Sequence, residues 1–77
     1  MIFKVAIYLG GERFEEAEHV MPIFTGTMQE RNEARAELIA KKATALKTQF
    51  LNKIIKVAFD YYIVAEIPSR PPQDVII

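Results

Sequence analysis

Residues 12–24 read ERFEEAEHVMPIF, and the fold turns on whether they form a helix or a strand. As a helix, Phe14, Ala17 and Met21 share one stripe, the glutamates favour the conformation, and Pro22 ends it. As a strand, the segment is the return arm of a hairpin, and Pro22 is tolerated only if that strand lies on an edge. The residues just upstream decide the matter. Gly10-Gly11 suits the positive φ angles of a tight two-residue turn, which makes 12–24 the second arm.

The first arm is IFKVAIYL, residues 2–9. It is β-branched and aromatic, and only Lys4 interrupts apolar character on both faces, the pattern of a central strand. Downstream, Thr27-Met28-Gln29-Glu30 is a capping box that predicts a helix starting at Met28. Its apolar stripe is Ala36, Ile39, Ala43, Leu46 and Phe50, and the Glu37/Lys41 pair sits opposite in the favourable i,i+4 order. The helix is expected to end near Phe50 or Asn52. The same spacing runs on through Ile54, Val57, Tyr61 and Val64, so one helix to about residue 65 is the competing reading. Residues 55–67, IKVAFDYYIVAEI, are instead read as a strand, because they alternate and are rich in β-branched and aromatic types. Residues 68–77 hold three prolines within five positions and are read as an extended tail ending in Val75-Ile76-Ile77, which can dock on the body or on a partner.

These elements predict one α+β domain over residues 1–67. It is a three-stranded antiparallel sheet of order 2-1-3, connected ββαβ, with one long helix on one face. With the odd positions facing the helix, Ile2, Ala6, Tyr8, Ala58, Tyr62 and Val64 are left on the open face. A contiguous apolar patch of that kind marks an interface. A chain of 77 residues has a marginal core, and burying a few hundred Å² at roughly 25 cal/mol per Å² would support it. The expected partner is a second copy, as a homodimer, or another protein.

There is no cysteine, which excludes disulfides, a thiol nucleophile and a cysteine zinc site, and fits a reducing compartment. No apolar run reaches the roughly 20 residues of a membrane span. The opening MIFKVAIYLGG lacks the layout of a signal peptide, so the expected location is cytoplasmic and no membrane partner is expected. At 51% hydrophobic content the chain is not disordered. Net charge is zero, yet residues 1–37 hold four basic and seven acidic residues and residues 38–77 hold six and three.

Chemistry centres on EEAEH, residues 15–19. Glu16-Ala17-Glu18-His19 has Glu-x-x-His spacing, which on a helix is half of a di-iron ligand set. The chain has one histidine, and on a strand Glu16 and His19 point to opposite faces, so no metal or cofactor is expected. An acid/base or ligand site near His19, at a subunit interface, stays open as one alternative. Ser69 is the only serine and lies in the proline tail, and the lone Gly10-Gly11 pair is no phosphate loop, so an enzyme is not expected. Five lysines from Lys41 to Lys56, with no acid among them, make nucleic-acid binding another alternative. They also complement the helix dipole, and zero net charge opposes strong phosphate affinity. The hairpin acids Glu15, Glu16 and Glu18, with Glu12, suit steering toward a basic partner.

In layout, IFKVAIYLGG, then VMPIFTGTMQERNEARAELIAKKA, then IKVAFDYYIVAEIP resembles small bacteriophage proteins that bind and inhibit a host enzyme or defence complex. The likeness covers most of the chain and is one of size and element order. It carries no motif and assigns no residue. It implies an inhibitor or adaptor that acts by occupying a partner's surface.

Overall fold

The structure, a computed structural model, describes residues 1–53 and 60–76. Five elements follow in order: β1 (Ile2–Leu9), β2 (Glu12–Val20), α1 (Met28–Lys53), β3 (Tyr61–Glu66) and β4 (Gln73–Val75). The sheet is wholly antiparallel, of order β2-β1-β3-β4, with α1 across one face.

Residues 12–20 are a strand. Leu9 pairs with Glu12, and Gly10 and Gly11 close the turn with φ of 61° and 83°, the left-handed angles of a two-residue hairpin loop. The hairpin is not regular. Ile7 pairs with Glu15 but Tyr8 pairs with Arg13, so Phe14 is the extra residue of a β-bulge. Phe14 thereby joins the helix side, edge-on to Phe50 with ring centroids 5.6 Å apart. Arg13 is moved to the open face. The other end of the hairpin is tied by the Met21 amide donating to the Met1 carbonyl at 2.7 Å.

α1 begins at the expected cap. The Glu30 amide donates to Thr27 Oγ1 at 3.1 Å, and the Thr27 amide donates to Glu30 Oε1 at 3.3 Å. Such a cap is worth about 1 kcal/mol. Gly26, at φ 111°, makes room for it, because a Cβ there would meet the Glu30 carboxylate at 3.3 Å. Ile39, Ala43, Leu46 and Phe50 are buried as the periodicity predicts, while Ala36 is exposed. The helix runs to Lys53. The question of whether 54–59 continues it or opens the strand lies outside the described residues; from Tyr61 the chain is strand.

The core lies between the sheet and α1. Phe3, Val5 and Ile7 of β1 and Ile63 and Ala65 of β3 pack against the buried helix stripe. Phe50 is at its centre, with Tyr61 at 5.1 Å on the side away from Phe14. Twenty-six helical residues span about 39 Å and the eight of β1 about 27 Å. The helix therefore outruns the sheet. No residue from Met28 to Leu38 is fully buried, so its first turns project beyond the core.

The expected sheet of three strands is corrected to four. Residues 68–76 do not simply extend away. The Arg70 amide donates to the Ile67 carbonyl at 3.1 Å, closing a turn with Pro68 second and Ser69 third at φ 65°. The chain then reverses, and Val75, Asp74 and Gln73 pair with Ile63, Val64 and Ala65. The prolines do not prevent this. Pro68 suits the turn, and Pro71-Pro72 stop just before a short edge strand, where missing amide donors leave no ladder bond unmade.

Candidate functional site

Alternation predicts an open face, and Ile2, Ala6 and Tyr8 of β1 lie on it with Tyr62 and Val64 of β3. Ala6 pairs with Val64 and Tyr8 with Tyr62. Ala58 lies outside the described residues. The face is less bare than expected, because Ala6 is 0% exposed and Val64 6%. The reason is Arg13, which the bulge delivers to this side. From its place beside Tyr8 it reaches across β1 to pair with Glu66 on β3, whose own register partner is Lys4. Its side chain therefore runs diagonally over the Ala6 row. It also donates to Glu16 at 2.6 Å and to the Tyr8 hydroxyl at 3.0 Å. The hydrogen bond with Tyr8 foremost, then Glu16 and Glu66, raises its pKa above the ordinary guanidinium value against a smaller opposing desolvation. Tyr8 and Tyr62 stack with planes 2° apart and centroids at 5.1 Å. At the other end Ile2 and Val20 are register partners and both exposed. The face thus has an aliphatic end, a charged centre and a stacked tyrosine end.

The hairpin acids are divided between two sides. Glu16 is held by Arg13, and Glu18 lies 3.5 Å from its register partner Lys4. Glu15 is on the helix side, 2.7 Å from Lys53 Nζ. Three of the hairpin's acids are therefore matched within the molecule, and among the described residues Glu12 makes no ion pair. His19 is turned away from Glu16 and Glu18 and packs on Phe3, ring centroids 5.5 Å apart. The Glu-x-x-His unit is thus split across the sheet. Among the described residues no three His, Asp or Glu side chains are grouped to hold a metal ion.

The lysine run does not form one surface. At about 100° per residue, Lys42 and Lys53 flank the buried stripe on one side, Lys47 flanks it on the other, and Lys41 is on the back. Lys56 lies outside the described residues. Among those described, no helix is long and apolar enough to cross a membrane.

One cluster was not found by sequence reasoning. Beyond the end of the sheet a groove of about 640 Å³ lies between the 21–24 segment, the first turns of α1 and the 68–70 turn. It is lined by Arg31, Arg35 and Arg70, three of the four arginines of the chain. It is also lined by Met1, Met21 and Met28, all of its methionines. A signal did exist. Arg31 and Arg35 are like charges at i,i+4 near a helix N-terminus, where the dipole favours acids. Arg70 could not be added from sequence, since it depends on the turn at Ser69.

No family model, no curated protein and no solved structure matches the chain.

Proposed function

We propose that the protein is a small non-enzymatic binding module that acts by occupying a partner protein's surface with its open sheet face. The observation that carries this reading is the make-up of that face: an exposed Ile2–Val20 pair at one end and the half-exposed Tyr62, stacked on Tyr8 beside Arg13, at the other. Tyrosine and arginine dominate the residues that carry interface energy, and a rigid aromatic pair loses little entropy on docking. Of the hairpin acids, Glu16 and Glu18 share this face, matched by Arg13 and Lys4, and they set its charge pattern toward a partner. The inhibitor or adaptor action implied by the layout follows from coverage, with no chemical step of its own. A second copy is the other occupant this face suits.

The test is capture from nuclease-treated bacterial lysate by the wild-type protein and by Val20→Asp and Tyr62→Ser, two substitutions at exposed positions. Sedimentation velocity runs alongside. The reading expects either one stoichiometric protein that both variants lose, or a dimer that both variants dissociate. A monomer that captures nothing, or a capture indifferent to both substitutions, overturns it.

A further inference from the structure

We propose that the groove between the 21–24 segment, the first turns of α1 and the 68–70 turn binds a small anion carrying an apolar chain, of the alkyl carboxylate class. Its charge is one-sided. Three guanidinium groups line it, and among the described residues no carboxylate lies within ion-pair distance of Arg31, Arg35 or Arg70. Two of them are like charges at i,i+4 on one helix face, an arrangement unfavourable for the helix alone. A bound anion removes that repulsion. Guanidinium forks match a carboxylate in pairs, and the adjacent helix start adds to the field.

The apolar part of the lining calls for a chain rather than a compact ion. Ile23 is 95% exposed and Met28 70%, beside buried Met21 and half-buried Phe24. Methionine is flexible and polarisable and adapts to apolar ligands of varied shape. Among the described residues Asn32 is the only uncharged polar side chain in the lining, and it already accepts from Arg35 at 3.2 Å. The wall therefore offers little to the amides of a peptide and much to methylene groups. A volume near 640 Å³ falls within the range of small-molecule sites, roughly 300–1,000 Å³.

Because all three methionines line the groove, protein labelled with ¹³C at the methionine methyls reports on it alone. Decanoate, decanol, acetate and a pentaglutamate peptide are titrated in turn, with Arg31→Gln and Arg70→Gln as variants whose fold is checked by circular dichroism. Decanoate should shift the methyl resonances saturably. Decanol and acetate should bind at least ten-fold more weakly, and each variant should weaken decanoate by about ten-fold. The inference is overturned if decanol or acetate matches decanoate, if the variants bind as well as the wild type, or if no methyl moves. Saturation by pentaglutamate without decanoate also overturns it and assigns the groove to an acidic protein.

Discussion

At residue scale, Ser69 makes a choice that its neighbours depend on. It holds φ at 65°, a region that costs a residue with a Cβ about 1–2 kcal/mol, at the turn position glycine normally fills. Ser69→Gly relieves that strain but frees the unfolded chain. The expected outcome is a net gain of about 0.5–1 kcal/mol in urea unfolding, with unchanged slope. A loss of stability would mean that the serine side chain supports the turn in a way its geometry does not show. The same residue aims Arg70 into the groove and starts the reversal into β4, so one dihedral angle links the sheet edge to the arginine cluster.

Among the elements, β4 is the weakest member of the sheet, with three paired residues at an edge. A chain stopped after Pro72 should stay folded, with β1 amides still protected between β2 and β3 and β3 amides exchanging faster. Hydrogen exchange read by NMR checks this, and equal exchange in the two chains would show that β4 contributes nothing. The elements also show what sequence can and cannot reveal. The capping box, the helix stripe from Ile39 to Phe50 and the Gly10-Gly11 turn were legible because each is a local pattern with a local cause. β4 was not, because Gln73-Asp74-Val75 has no strand signal of its own and pairs only once a distant strand is present. Nor was the burial of Ala6. Regular alternation would keep Phe14 on the open face, and the bulge that brings Arg13 there instead leaves no mark in composition.

For the whole molecule, the charge halves of the sequence do not survive folding as surfaces. Glu15 of the first half is matched by Lys53 of the second, and the arginine groove draws on both. With the hairpin acids largely matched internally, a complex through the open face should depend mainly on apolar and aromatic contact. Its affinity should therefore change little between about 0.1 and 0.5 M salt, where surface charges are increasingly screened. A steep linear fall of log affinity with log salt would instead indicate phosphate contacts and favour the lysines of α1.

The bulge at Phe14 has a consequence for how such a chain can diverge. Either side of it, odd and even positions exchange their meaning, so the hairpin counts residues more strictly than it reads them. Exposed positions can drift in identity, but losing Phe14 would draw the hairpin into regular register, with Arg13 still opposite Tyr8, and strip the helix side of the ring set edge-on to Phe50.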